Sequence, residues 1–546
     1  MVNYLRRRVL GSTDYRIGSV IVQRTDLLEN FAVLQFLNNS SEGTTTDEQS
    51  IYRAIGVEPI INCRGTFTII GGSVERPEVL AAIEQASRHF VQYDELAEGV
   101  GRRLAKITGA QWGMIPAGCA AGLKHVTAAC VTGGNPEKLI RIPDLTGMEK
   151  TQVIAPRYSR NAYDHAVRNI GVEMVMVETR EELAGAINAK TAMIYVVAGR
   201  GSQEGQPLSL ETVVEIAKPW EIPVLVDAAA EDLTIPCIHL EKGGDVVAYS
   251  GGKAICGPQG AGLLLGDKKI LMSAWQASSP HHGPNRDNKI GREEIMGMLA
   301  AVEAWVTRDH AAEWQTWLSR LDHIAQRVLQ VASVQTGVEQ PSGLSNRSPT
   351  LVISWHPAAL HITGEQVAED FARNKPRIAV GSTDAEGKAC IRITPSQMQP
   401  GNEQVVAERI YQILTEARSP QPTQLAVAEV DISGHWDLTV EYFSSTSQHQ
   451  LYLQQEGNWI QGAHQSDFSS QEIVGTVEGD RVKLRSQVRE AADGILFLFS
   501  GRVSGDIISG SIFLGEYLTA QFTAKRCTYQ KIRKPFAIPG GPPLAT

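Results

Sequence analysis

The chain reads as an α/β protein: a large domain on a mostly parallel sheet, a smaller α/β domain, and an all-β barrel or sandwich appended at its C-terminal end. Three observations predict this. Over roughly residues 50–310, short β-branched runs such as Ile222-Pro223-Val224-Leu225-Val226 alternate with amphipathic helical stretches, the pattern of parallel strands whose crossover helices cover both faces. Ser419-Pro420-Gln421-Pro422-Thr423-Gln424 then marks a proline-rich boundary. Beyond it the apolar period becomes two, and about eight short strands are separated by turns such as Glu456-Gly457-Asn458, Glu478-Gly479-Asp480 and Ser504-Gly505-Asp506.

With 546 residues, three or four domains are expected at one per roughly 100–200 residues. Residues 1–50, with Arg6-Arg7-Arg8 and the polar Asn38-Asn39-Ser40-Ser41-Glu42, read as an N-terminal extension with a solvated basic terminus. No secretory leader is clear in them. The large domain is expected over 51–312. It enters through the extended Asn62-Cys63-Arg64-Gly65-Thr66 and continues with a helix opened by Pro77, whose ring suits a first helical turn. A second helix over 96–108 stops at Gly109, and a turn of tiny residues, Ile115-Pro116-Ala117-Gly118-Cys119-Ala120-Ala121, runs into a third. Strands follow at Gln152–Pro156, Met193–Val197, Val224–Val226 and Val246–Tyr249, with helices over 181–188, 209–218 and 293–307. Gly199-Arg200-Gly201-Ser202-Gln203-Glu204-Gly205 invites a dinucleotide-binding reading, but its glycine spacing is off by one and we discard it. A linker helix at 313–332 leads into a small α/β domain over 313–420, with strands Leu351–Trp355, Arg377–Val380 and Ala389–Ile393 and helices 364–373 and 401–417. The barrel-like domain spans 430–527, opens on Gly434-His435-Trp436 and is followed by an irregular, proline-rich tail over 528–546.

Several function classes are disfavoured. A formal net charge of −9 with 20% charged residues offers no basic field for nucleic acid over the whole chain. The seven cysteines are odd in number, scattered and free of any CxxC pair, which argues against a disulfide framework or zinc knuckle and for a reducing, cytoplasmic setting. No run of about eighteen apolar residues is present, so no membrane span is expected. Adjacent His281 and His282 point different ways in an extended segment, and no metal site is expected.

The chemistry is expected around Ser250-Gly251-Gly252-Lys253-Ala254-Ile255-Cys256-Gly257-Pro258-Gln259-Gly260, which follows the β-branched run Val246-Val247-Ala248-Tyr249. A hydroxyl, two glycines, a lysine and a Gly-Pro pair hold one amine on a rigid turn at a strand exit. An amine attacks carbonyls only when partly unprotonated, which a desolvated turn favours. Lys253 is therefore read as a Schiff-base lysine, against the bland alternative of a surface lysine in a glycine turn. Upstream, Val224-Leu225-Val226-Asp227-Ala228-Ala229-Ala230 is a buried strand ending in a carboxylate and small residues. Pyridoxal phosphate needs such a carboxylate to keep its pyridine nitrogen protonated, and Ala229 would let the ring lie flat. Alone, Asp227 would more often be a helix cap. The pair at two strand exits is more specific than either residue.

These blocks, together with Ile61-Asn62-Cys63-Arg64-Gly65-Thr66, His281-His282-Gly283 and Lys289-Ile290-Gly291-Arg292-Glu293-Glu294-Ile295, occur in one order. That order resembles the fold-type I pyridoxal-phosphate enzymes of the selenocysteine synthase and D-glucosaminate-6-phosphate ammonia-lyase family. The resemblance spans roughly 50–420 and is nearer the ammonia-lyase branch. It implies the fold-type I architecture and pyridoxal 5'-phosphate as cofactor. It also implies that Gly118, Cys119 and Ala120 cradle the cofactor phosphate at a helix N-terminus, joined by the Ser250 hydroxyl. Tyr158 or His165 would stack on the ring, and the residues leave that choice open. The loop carrying His281, His282 and Lys289 would recognise an anion and reach the active site of a second copy, making the protein a homodimer or higher homo-oligomer. Arg392 would take the substrate carboxylate as a bidentate pair, with Arg64 as its competitor.

The expected reaction is α-deprotonation by Lys253 and β-elimination from an amino acid or amino sugar acid, releasing ammonia and a 2-oxo acid. A racemase or epimerase, a selenocysteine synthase-like transferase, and a non-enzymatic cofactor-fold scaffold whose barrel binds a ligand are the alternatives.

Overall fold

The computed structural model describes residues 51–385, 387–420, 425–486 and 494–528, together with a backbone hairpin, Asp14–Ile17 with Val20–Gln23. Apart from that hairpin, the expectations for residues 1–50 lie outside the described residues, as does the expected tail over 529–546.

The central sheet has seven strands in the spatial order Trp112–Met114, Gly262–Gly266, Val246–Ser250, Val224–Asp227, Thr191–Val197, Gln152–Pro156 and Glu173–Val177. Gly262–Gly266 runs antiparallel to both neighbours, and the remaining pairings are parallel. Because both faces are covered, the inner strands are nearly continuous apolar runs. Their alternate residues feed two cores. Ile194, Val196, Val226 and Val247 pack on one side, and Met193, Tyr195, Leu225 and Ala248 on the other. The helix Tyr93–Thr108 begins three residues before the expected start because Gln92, an uncommon capping residue, accepts from Glu95 N–H, and it stops at left-handed Gly109.

A second, four-stranded antiparallel sheet has the order Gln335–Glu339, Thr350–Trp355, Lys388–Ile393 and Gly381–Ala385. Helices Gly364–Arg373, Asn402–Thr415 and His310–Val328 surround its core. The predicted entry segment joins this region: Ile60–Asn62 pairs in parallel with Arg377–Ala379, and fully buried Cys63 exchanges backbone hydrogen bonds with Ala379 and Thr394.

From Gly434 to Cys527 the structure is a closed eight-stranded antiparallel barrel. Each strand pairs with the next, and Gly434–Glu441 closes it against Thr519–Cys527. Of the two all-β architectures expected, it is the barrel. Its tight turns carry Gly457, Gly479 and Gly505 at φ near +60°, which favours glycine. Trp436 is fully buried, and its ring N–H donates to Ile432 O at 2.9 Å, so the tryptophan belongs to the barrel core.

Candidate active site

Lys253 leaves the Val246–Ser250 strand on a turn closed by the Cys256 N–H donating to Lys253 O at 2.9 Å. The turn is pinned on three sides. Gly251 N–H donates to Ala261 O, Gly257 N–H to Gly251 O, and Ser73 N–H to Gly252 O at 3.0 Å. Gly72 must be glycine here, since a Cβ would sit 2.7 Å from Gly252 O and φ is +71°.

Asp227 ends the neighbouring parallel strand and is 6% exposed. Its Oδ2 accepts from the Tyr195 hydroxyl at 2.9 Å, and its Oδ1 from Ala229 N–H at 3.0 Å and the Cys119 thiol at 3.6 Å. Burial pushes this carboxyl up, against the pull of those donors and of the Lys253 charge. Burial and the Asp227 charge hold the Cys119 thiol well above its ordinary range, so Cys119 is no thiolate.

Cys119 also begins the helix Cys119–Thr132, almost all of which is buried. Gly118 precedes it at φ +90° with no side-chain cap, and space is open where its Cβ would be. On the opposite side Gly262 lies so close that a Cβ would stand 2.7 Å from Cys119 N. Two glycines thus bring an uncapped helix N-terminus against the sheet beside Asp227 and leave room in front of it. The Gly118–Ala120 segment, Asp227, Ala229, Ser250 and Lys253 gather at the carboxyl ends of adjacent strands, where parallel sheets bind ligands.

A cavity of about 290 Å³ is walled by Ala230 and Ala254, which flank these strand exits, and by Arg64, Arg76, Arg308 and Arg347. Arg64 is presented by a turn in which Asn62 Oδ1 accepts from the N–H groups of Arg64 and Gly65, and its guanidinium lies 4.5 Å from the Phe67 ring centroid. Arg308, with a side chain 6% exposed, donates to Ala254 O and Ile255 O and so braces the Lys253 turn. Trp305, Trp314 and Trp317 form an apolar wall, and Asp232 and Glu313 are the acidic residues on it.

The structure does not bring every expected residue to this cavity. Arg392 is bound through both terminal nitrogens to Glu339, which it holds below the usual carboxylate range, and it faces a separate hollow shared with Arg200 and Glu231. The Tyr158 ring packs on Gly201, where a Cβ would come within 2.4 Å of it, and its hydroxyl donates to Leu208 O at 2.8 Å. His165 is exposed at the start of the short helix His165–Arg168. His281 bridges Asp94 at 3.1 Å and Trp275 O at 3.2 Å, while His282 and Lys289 are exposed. Among the described residues, no cluster of three or more His, Cys, Asp or Glu side chains could hold a metal ion, and no helix is long and apolar enough to cross a membrane.

Sequence reasoning passed over Tyr195, Arg308, Arg347 and the tryptophan wall. Tyr195 carried a usable signal, since a tyrosine inside a fully buried run needs a hydroxyl partner. The others come from segments with no local pattern tying them to Lys253.

The Aminotransferase class-V family matches residues 150–301. The chain is 31% identical over 300 residues to the D-glucosaminate-6-phosphate ammonia lyase of Salmonella typhimurium, covering 53% of this chain and 78% of that protein. It is 26% identical over 377 residues to the 5'-C-glycyluridine monooxygenase-decarboxylase of a Streptomyces species, covering 67% and 92%. A solved D-glucosaminate-6-phosphate ammonia-lyase structure matches with a TM-score of 0.60 at 26% identity, over 67% of this chain and 98% of that one. With the sheet order and the paired strand exits described above, the chain belongs to the fold-type I enzymes of the selenocysteine synthase and D-glucosaminate-6-phosphate ammonia-lyase family, whose cofactor is pyridoxal 5'-phosphate.

Proposed function

We propose that this protein is an ammonia-lyase that takes the α-proton and a β-substituent from an amino acid or amino sugar acid and releases ammonia and a 2-oxo acid. The observation that carries the reading is the juxtaposition of Asp227, a buried carboxyl hydrogen-bonded by neutral donors, with Lys253 on the next strand exit.

The residues fit the cofactor. A protonated ring nitrogen against Asp227 would supply a positive partner that offsets the burial of this carboxyl. Tyr195, Ala229 N–H and Cys119 fix the direction in which that carboxylate points. The open helix N-terminus at Gly118–Ala120 suits a phosphate, and Ser250, whose strand partner Gly262 abuts Cys119, would add its hydroxyl. When bound, pyridoxal phosphate supplies the electron sink that makes the α-proton of the substrate amine acidic. Lys253 Nζ takes that proton and holds it. Arg64, free of any carboxylate partner among the described residues, pairs with the substrate carboxylate, and the tryptophan wall excludes water. Four guanidinium groups against two carboxylates favour an acidic substrate. His282 and Lys289, exposed and away from this chain's own cavity, are assigned to the active site of a second copy in a homodimer.

The test is a screen of D- and L-amino acids and amino sugar acids, D-glucosaminate 6-phosphate among them, for ammonia and 2-oxo acid in deuterated water. Ammonia with an equimolar keto acid is expected. Deuterium at the α-carbon without ammonia would make the reaction an epimerisation and overturn the reading. With the substrate in hand, Arg64→Lys should raise KM about tenfold with kcat nearly kept, because a lysine loses the bidentate fork. Arg392→Lys should leave KM within about twofold, since its partner is Glu339. The reverse pattern, read by steady-state kinetics, would move the carboxylate anchor to Arg392.

A further inference from the structure

The two acidic residues of the cavity wall have different arginine partners. Glu313 is gripped by Arg76 and lies 3.7 Å from Arg308, so two guanidinium groups hold it. Asp232 is bonded through its backbone N–H to Leu344 O, and its side chain is 16% exposed. Its ion-pair partner Arg347 lies 3.6 Å away, has a side chain 50% exposed and rests over the Trp314 ring. Burial pushes the Asp232 carboxyl up to about 6, while Arg347, His310 and Arg308 pull it down. Asp232 follows Ala230 on the segment leaving Asp227, and Ala254, next to Lys253, lies on the same cavity wall.

An elimination needs an acid as well as a base when the leaving group is hydroxyl, because hydroxide departs poorly and water departs well. Resting on the elimination reading above, we propose that Asp232 is the catalytic acid that protonates the departing β-hydroxyl. Lys253 Nζ takes the α-proton, and the electron pair left at Cα becomes the Cα–Cβ double bond. The Cβ–O bond breaks with its pair on oxygen, which receives the Asp232 proton and leaves as water. Asp232 is left as a carboxylate facing Arg347, His310 and Arg308, which stabilise it. The proton on Lys253 returns to Asp232 through solvent, closing the cycle with one water released.

The experiment compares wild-type holoenzyme with Asp232→Asn and Asp232→Glu on two kinds of leaving group. D-glucosaminate 6-phosphate and serine lose hydroxyl, whereas β-chloroalanine loses chloride, which needs no proton. Ammonia release from the hydroxyl substrates should fall about 10²–10⁴-fold in Asp232→Asn, the usual contribution of a positioned acid, with KM little changed. Loss with β-chloroalanine should stay under about tenfold, and Asp232→Glu should recover part of the hydroxyl reaction. Wild-type kcat for hydroxyl loss should decline as pH rises through about 6, where Asp232 gives up its proton, and that limb should vanish in Asp232→Asn. An equal loss on both leaving groups, or a change confined to KM, would make Asp232 a structural or binding residue and overturn the proposal while elimination stands. Ammonia from neither kind of substrate with wild-type enzyme would overturn the elimination reading and this proposal with it.

Discussion

Lys253→Ala should lower turnover by roughly 10³-fold or more while cofactor binding weakens far less. The two effects separate because the proposed roles of Lys253 are covalent anchor and base, whereas the other proposed contacts remain in the variant. The uncapped N-terminus at Gly118–Ala120 and the Asp227 carboxyl are fixed by backbone and by Tyr195, not by the lysine. Gly251, Gly257 and Ser73 make their hydrogen bonds through backbone groups, so the turn should also persist. Borohydride reduction followed by peptide mapping reads the result. In wild-type protein the cofactor should be fixed to the peptide carrying Lys253, and in the variant to none, with cofactor absorbance still retained after gel filtration. Substantial activity in the variant, with cofactor fixed to another peptide, would identify another lysine as the anchor.

Asp227→Asn should cost on the order of 10²–10³-fold in kcat, comparable with removal of a buried group that stabilises charge in the transition state. An amide cannot keep the ring nitrogen protonated, so the electron sink weakens. The fold should be unaffected. Asparagine has the same shape, its amide oxygen can accept from Tyr195 or Ala229 N–H, and removing a carboxyl that burial already disfavours costs the cofactor-free protein nothing. A thermal midpoint equal to or above wild type for the cofactor-free variant, beside the kcat loss, is therefore expected. An unchanged kcat would take Asp227 out of this role.

The legible parts of the molecule were those whose physics is local. The Lys253 turn concentrates its requirement for glycine and small residues within a dozen positions, and Asp227 stands at the end of a strand too apolar to tolerate an idle charge. The barrel strands announced themselves by a period-two apolar pattern and by turn glycines, and in the structure these are the alternating burial and the positive φ. Closure was not legible, because it depends on Gly434–Glu441 meeting Thr519–Cys527, and nothing within either strand names the other. The two arginines show the same limit. Arg392 sits on a convincing strand, but Glu339, 53 residues away, occupies it, and sequence alone gives no sign of that pairing. The early start of the helix at Tyr93 turned on a glutamine cap, which propensity ranks low.

The parallel pairing of Ile60–Asn62 with Arg377–Ala379 has a mechanical corollary. Arg64 lies two residues beyond that strand, and its neighbour Cys63 is buried in the core of the four-stranded sheet, whereas Asp227 ends a strand of the seven-stranded sheet and Lys253 sits on the turn that follows its neighbour strand. In the proposed reading, a substrate held by Arg64 at one end and worked on by Lys253 at the other would be a strut between the two sheets. Its length sets their spacing, so a ligand one bond too short or too long would be penalised by the stiffness of both sheets and not by the loss of any single contact.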